Sequence, residues 1–362
     1  PISLYQAAVI GAQRLAVSSL INIVMATIGS LGAVVVLSYV SPTIGAFFIW
    51  QAIVGIIYAA TMRLAAWRVL GGNKGRRFDV DILKRVWRFS AGMGAIAISS
   101  VVFTQMDKVI LSKILKLEEF GHYMLATVVV SGLYLLVTPV FNIIYPRFSA
   151  LVVSKDEGAL ITLYRMGTRI LAIALFPIAM LLVLFADELL VLWVGDPDIA
   201  SSVAPVIAIL AIGSVLHGVM YFPYALQLAY GKTRLPLTIN IILMFAFVPL
   251  MIFCALIYGA LGGAIAWCAL HVLYLFLGTF LTHRVLLKKI GAIWLFQDVG
   301  IPLAASVLIG SAGYYLVDIN DYSIGLKLLI GLIMGLLTLV LSLLGSTQLR
   351  QEILCRLEWI KK

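Results

Sequence analysis

The sequence predicts an all-α protein that crosses a membrane about ten times. Three observations carry this. Hydrophobic residues make up 63% of the 362 residues and charged residues 12%, against about half and a quarter in an ordinary soluble domain. Apolar runs of roughly 20 residues, the helix length that spans a hydrocarbon core of about 30 Å, recur along the whole chain. The basic residues gather in alternate segments between those runs. No strand-like alternation of comparable length appears, which excludes a β-barrel.

Ten runs qualify, at approximately 16–40, 43–63, 89–113, 121–145, 167–186, 202–229, 236–257, 261–282, 299–317 and 324–344. Glycine is frequent inside them, as it is where helices pack closely in lipid. If the first span starts on the cytoplasmic side, the cytoplasmic segments hold 22 of the 26 Lys and Arg, from Arg14 to Lys362. The opposite segments hold Lys113, Lys116 and Lys327, together with Glu118, Glu119, Asp187, Glu188, Asp196, Asp198, Asp318 and Asp321. That asymmetry is a positive-inside signal and places both chain ends in the cytoplasm. It also accounts for the net charge of +10, which excludes nucleic acid as the partner.

All the external loops are short. The longest internal linker, 64–88, contains the run from Gly71 to Arg77 and then Trp87, with Trp67 before it. It reads as an interfacial helix on anionic headgroups or as a specific partner site. Cys254, Cys268 and Cys355 form no CxxC pair and His is scattered, so no metal site or cofactor is expected and the thiols read as inert side chains. No GxxxxGK[ST] or GxGxxG occurs, so ATP-driven transport within this chain is not expected. The chain begins with Pro1 in the middle of a pattern, and further N-terminal residues are expected to precede it.

The start of the chain recurs about 220 residues later. Gly11–Arg14, GAQR, returns as Gly231–Arg234, GKTR, each after a Tyr-containing apolar segment and before two spans. The second span carries Gly45-Ala46 and Trp50 in one copy, Gly262-Gly263 and Trp267 in the other. This reads as a parallel repeat about an axis along the membrane normal. Spans three to six then lack partners within the chain. Four helices matching them would precede residue 1, giving fourteen in all.

Polar residues form stripes on three spans. In 89–113, Ser100, Thr104, Lys108 and Ser112 lie four apart with Asp107 beside them. In 121–145, Tyr123, Thr127, Ser131, Tyr134, Thr138, Asn142 and Tyr145 follow steps of three and four, with Pro139 expected to kink the helix. In 202–229 the set is Ser214, His217, Tyr221 and Tyr224; Ser19, Asn22 and Ser30 make a weaker set in the first span. Such stripes either join helices in a solid bundle or line a water-filled cavity. The 89–113 span is the only one read with a carboxylate in its interior. Its Asp107–Lys108 pair either faces the cavity or forms a local pair at the outer interface. His217 and His271 lie near mid-span, where a histidine can carry a coupling proton or sit neutral and satisfied. Arg14, Arg147, Arg169 and Arg234 at inner helix ends either snorkel to headgroups or hold an anionic phosphate at a cavity mouth.

Residues 89–150 resemble the seventh and eighth helices of bacterial polysaccharide transporters, the flippases for lipid-linked O-antigen and capsule repeat units. The shared features are Phe89-Ser90, Gln105 with Asp107-Lys108, Leu111-Ser112-Lys113, Gly121 with Tyr123, and Pro139 followed by Pro146-Arg147. The segment from Tyr5 to Arg14 resembles the approach to the family's fifth helix. The superfamily includes multidrug exporters and the lipid II flippase. The resemblance implies fourteen helices in two lobes, alternating access and a cationic central cavity for a substrate diphosphate. Residues 1–63 would then be the last two helices of an N-terminal lobe and 64–88 a basic cytoplasmic linker. Residues 89–285 would be a six-helix C-terminal lobe, and 286–362 two additional helices and a cytoplasmic tail.

The expected function is translocation of an undecaprenyl-diphosphate-linked oligosaccharide across the bacterial inner membrane, coupled to an ion. The expected cavity residues are Arg14, Ser100, Thr104, Asp107, Lys108, Thr127, Ser131, Tyr134, Thr138, Asn142 and Arg147; Asp107, His217 and His271 are the coupling candidates. Membrane lipids are expected partners, and the resemblance adds a polysaccharide polymerase and a chain-length regulator. The rivals are a cation-coupled drug exporter on the same fold, which would call for a more acidic cavity, a membrane-embedded polymerase or glycosyltransferase, which would call for a large external loop, and a scaffold with a dry interior.

Overall fold

The computed structural model describes residues 2–12, 14–71, 80–288, 290, 292–316 and 322–345, and only part of the side chains in 82–96. Gln13, residues 72–79 of the basic linker, Lys289, Asp318, Asp321, the side chains of Phe89-Ser90 and the tail from 346 with Cys355 lie outside the described residues. The regular structure described is all helical.

In order the helices are α1 (Ile2–Gly11), α2 (Leu15–Val35, widening into a π turn at Val36–Val40), α3 (Ile44–Val69), α4 (Val80–Ile114), α5 (Leu117–Ser131) and α6 (Tyr134–Ser154). Then come α7 (Glu157–Val194), α8 (Pro197–Val219), α9 (Tyr221–Ala229), α10 (Arg234–Leu286), a π segment (Trp294–Gly300) leading into α11 (Ile301–Leu316), and α12 (Ile324–Leu344). Among the described residues eight helical stretches are long and apolar enough to cross a membrane. One of them, Arg234–Leu286, is two expected spans. Gly259 adopts φ 58°, ψ −133° and breaks it between them, a backbone state open essentially to glycine alone. Helix α4, 35 residues long, occupies the expected span at 89–113.

Two spans differ from the sequence expectation. The run at 121–145 is disturbed not at Pro139 but at Gly132-Leu133, which keep right-handed helical φ/ψ while their N–H groups donate to the carbonyls three residues back, Val129 at 3.2 Å and Val130 at 3.1 Å. Pro139 has no N–H for the Leu135 carbonyl and its ring crowds it; the chain tightens in the preceding turn and α6 then runs past both Pro139 and Pro146. The run at 167–186 starts earlier, at Glu157, and after a kink at Phe185 (φ −125°, ψ 21°) the chain continues as helix to Val194. Charged residues flank the apolar run on both sides, Arg165 before it and Asp187-Glu188 after it, and hide these extensions from a search for apolar runs. Asp156 caps the start by accepting from the Ala159 N–H at 3.0 Å, and Gly195 at φ 78° ends it. Arg165, Asp187 and Glu188 are therefore helical residues, not loop residues.

The chain forms two compact units, Pro1–Lys84 and Arg85–Lys362. The boundary falls within the linker expected at 64–88. Its described ends belong to α3 and α4, and no separate interfacial helix appears among the described residues. In the first unit α1 packs on α2 and α3 around Val9, Met62 and Ala66. Trp50 Nε1 donates to the Gly29 carbonyl at 3.1 Å, and a Cβ on Gly32 would overlap the Trp50 ring. In the second unit α7 packs on α8, α11 and α12, and α8 also on α5 and α10. The repeat is visible as an element order: a short helix (α1, α9), a turn, a span, a break, and a span carrying tryptophan. Both tryptophans meet the preceding span, Trp50 at Gly32 and Trp267 at Phe247, and Trp267 packs on Gly213 of α8 as well.

Candidate functional site

Helices α4, α5, α6, α8, α9 and α10 enclose a cavity of about 280 Å³ in the second unit. Residues three and four apart share a helix face, and this geometry brings three polar stripes to one place. Thr104, Asp107 and Lys108 face it from α4, Tyr123, Thr127 and Ser131 from α5, Tyr134 from α6, Ser214 and His217 from α8, Tyr221 from α9 and Trp267 from α10. Three clefts are larger, about 410 Å³ between α7, α8 and α11, about 470 Å³ beside the end of α10 and about 400 Å³ between α7 and α8. The first two have largely apolar walls and the third carries only Asp187 and Ser201 as polar side chains, whereas convergent polar groups mark the smaller cavity as the functional candidate.

At one end of the cavity stands an ion pair. The Lys108 ammonium lies 3.6 Å from Asp107 Oδ1 and donates to the Thr104 carbonyl at 3.2 Å. The Tyr123 hydroxyl donates to Asp107 Oδ2 at 2.8 Å. Asp107 is buried and its Oδ1 accepts no hydrogen bond. This charge is incompletely satisfied, and buried charges are costly unless paired and hydrogen-bonded.

At the other end lies an aromatic and histidine cluster. The Tyr134 hydroxyl and His217 Nδ1 are 2.8 Å apart. The His217 and His271 rings have centroids 4.7 Å apart, and Trp267 lies 4.4 Å from His271. Trp267 Nε1 donates to the Ser214 hydroxyl at 3.4 Å. Gly213 makes the approach possible: a Cβ there would meet Trp267 Cδ1 at 2.9 Å and Cys268 Cα at 3.0 Å.

The expected site residues divide. Thr104, Asp107, Lys108, Thr127, Ser131, Tyr134 and His217 line the cavity. His271 lies behind His217, and Ser100 contributes its carbonyl to the Thr104 hydroxyl at 2.9 Å. Thr138, Asn142 and Arg147 are exposed on α6 and do not line it. Arg14 is exposed and belongs to the first unit. The sequence reading did not assign Trp267 or Gln105 to the cavity; the spacing of Trp267, one turn before His271, was the available signal. Among the described residues no three His, Cys, Asp or Glu come together as a metal site.

A second charged cluster corrects the sequence reading. Arg165 Nε donates to Asp298 Oδ2 at 2.8 Å, and Arg169 pairs with Asp298 Oδ1 through Nη2 and through Nε at 3.1 Å. Arg165 Nη2 also donates to Gln297 Oε1 at 2.8 Å. Trp294 Nε1 donates to Thr168 Oγ1 at 3.0 Å, and Tyr164 pairs with His283 Nε2 at 2.9 Å beside it. Arg169 and Asp298 are buried. Arg169 therefore does not snorkel, and α4 is not the only helical stretch that buries a carboxylate, because Asp298 is buried at the start of the Trp294–Tyr315 stretch. The missed signal was two arginines four apart, able to share one anion.

Against known proteins, residues 9–197 match the family model described as polysaccharide biosynthesis protein. The chain belongs to that family. A Shigella flexneri relative named "Putative O-antigen transporter" is 23% identical over 220 residues, covering 60% of this chain and 52% of the relative. Among solved structures, lipid II flippase MurJ in an inward closed conformation superposes with a TM-score of 0.60 at 15% identity, covering 91% of this chain and 66% of the flippase. This member of the family is thus a multi-pass membrane protein with a flippase fold. It spans about half the length of the transporter and two thirds of the flippase. The matched segment includes the α4 and α5 side of the cavity and stops short of Ser214, His217 and His271.

Proposed function

We propose that the protein is a flippase that moves an undecaprenyl-diphosphate-linked oligosaccharide from the cytoplasmic to the outer leaflet of the bacterial inner membrane. The repeat unit would be that of O-antigen, capsule or exopolysaccharide. The observation that carries this reading is the polar cavity, with its half-satisfied ion pair, inside an apolar bundle. A sugar offers hydroxyls to Thr104, Thr127, Ser131 and Ser214 and apolar faces to Tyr134, Tyr221 and Trp267. Lys108 supplies positive charge for a phosphate. The lipid tail stays in the bilayer. Asp107, His217 and His271 are the coupling groups. No bond is made or broken, so the protein is not an enzyme in this reading and needs no cofactor. Its ends lie in the cytoplasm, and a polymerase and a chain-length regulator work beside it.

The test is complementation of a flippase-deficient host by the full-length gene. Lys108→Ala is expected to lower surface polysaccharide while membrane levels of the protein stay normal. Normal surface polysaccharide from Lys108→Ala, or drug resistance without polysaccharide export from the unaltered protein, overturns the reading.

A further inference from the structure

Behind the cavity the structure places two of the chain's four histidines ring against ring. His271 is fully buried. Its Nδ1 lies 2.8 Å from the Trp267 carbonyl oxygen. A carbonyl can only accept, so Nδ1 carries the hydrogen, and in the neutral ring Nε2 is a bare acceptor. That Nε2 has no hydrogen-bond partner. Buried acceptors without partners are rare and call for an explanation.

His217 supplies one. It lines the cavity, its Nδ1 meets the Tyr134 hydroxyl, and its ring lies against His271. It is thus the link between the cavity and the bare nitrogen. The titratable and charged groups around the pair are Tyr134 from α6, Tyr221 from α9, Tyr274 from α10 and, across the cavity, Asp107 and Lys108 from α4 with Tyr123 from α5. Among the described residues no carboxylate touches either imidazole. Asp107 is the carboxylate nearest at hand to balance a new positive charge.

We propose that His217 and His271 form a proton-binding site, entered from the cavity at His217 and filled at His271 Nε2. The step forms one N–H bond from the ring's lone pair while an O–H bond of a hydronium ion in the cavity breaks, leaving water in the cavity and an imidazolium in the ring. The aromatic cage of Phe103, Trp267 and Tyr274 disfavours that charge while dry. Proton occupancy is therefore tied to the hydration of the cavity, and so to which side the cavity opens. The use of this site to drive export rests on the flippase reading; the site itself does not.

Nitrogen NMR of the histidine-labelled full chain in lipid bilayers decides the site without any substrate. His271→Gln and His217→Gln assign the resonances, and His122 and His283 report whether each variant is folded. At about pH 8 His271 is expected as the Nδ1–H tautomer with a bare Nε2, and on acidification to about pH 4 that nitrogen gains a proton. In His217→Gln the midpoint moves by about tenfold in proton concentration or more. A His271 that stays neutral throughout, or that shows a bare Nδ1, overturns the proposal. In proteoliposomes, a one-unit pH gradient sustains up to about tenfold accumulation of an undecaprenyl-diphosphate disaccharide per coupled proton. His271→Gln is expected to keep exchange of labelled for unlabelled disaccharide and to lose the gradient response. Absence of that exchange in the unaltered protein defeats the flippase reading while the NMR result on the site still stands.

Discussion

Two carboxylates are buried among the described residues of the second unit, and their surroundings could hardly differ more. Asp298 is enclosed by two guanidinium groups that together present donors to both of its oxygens. Trp294, stacked on Tyr164, and His283 lie beside them. Asp107 has one tyrosine hydroxyl, a lysine at 3.6 Å and an oxygen with no hydrogen bond, and it opens on a cavity. A saturated cluster fixes a helix in place. An unsaturated one leaves bonding capacity for something that comes and goes. The Asp298 cluster is therefore a clamp that fastens the start of α11 to α7, and the Asp107 cluster is the working group in the function proposed above.

The difference can be broken at several points. Asp298→Ala leaves two arginines without their counter-charge, and breaking such a buried pair costs about 3–5 kcal/mol. A large drop in thermal stability in detergent is expected, and a drop of less than about 1 kcal/mol would remove the clamp. Tyr123→Phe takes from Asp107 its hydroxyl donor; a hydrogen bond to a charged group is worth about 1.5–3 kcal/mol, so a smaller loss of stability is expected together with reduced export. Asp107→Asn keeps an acceptor for Tyr123 and removes the buried charge. Its stability should stay within about 1 kcal/mol of the unaltered protein while export falls. Equal stability losses for Asp107→Asn and Asp298→Ala would erase the distinction. Thr138→Ala, on the exposed side of α6, is expected to change stability by less than about 0.5 kcal/mol.

The same contrast shows what the sequence made legible. The spans were legible because lipid demands long apolar runs, and the stripes on α4, α5 and α8 because helical periodicity puts residues such as Thr104 and Lys108 on one face. Helix ends were not: charged residues interrupt the apolar run at Arg165 and at Asp187-Glu188, yet helix extends over Glu157–Arg165 and, past the kink at Phe185, over Asp187–Val194. The disturbance at Gly132-Leu133 was displaced from Pro139 because the strain of a proline is taken up a turn earlier. Within the site, Thr138 and Asn142 follow the stripe in sequence but leave the cavity because the tightened turn at Gly132-Leu133 shifts the phase of the helix face. The Asp298 cluster joins residues 129 and 133 positions apart, and no local periodicity reports such a pairing. His217 and His271 were each visible as intramembrane histidines; their ring contact depends on Gly213 letting α10 close on α8.

The central claim is that water and substrate reach the cavity. Thiol labelling of Thr127→Cys, in the full-length protein with Cys254, Cys268 and Cys355 replaced by alanine, tests it most directly. A membrane-impermeant thiol reagent should modify position 127 far faster than a cysteine at Leu111, which is fully buried, and lipid-linked oligosaccharide should protect it. A Thr127→Cys thiol as unreactive as Leu111→Cys, with the protein folded in the membrane, would mean a dry bundle and contradict the account.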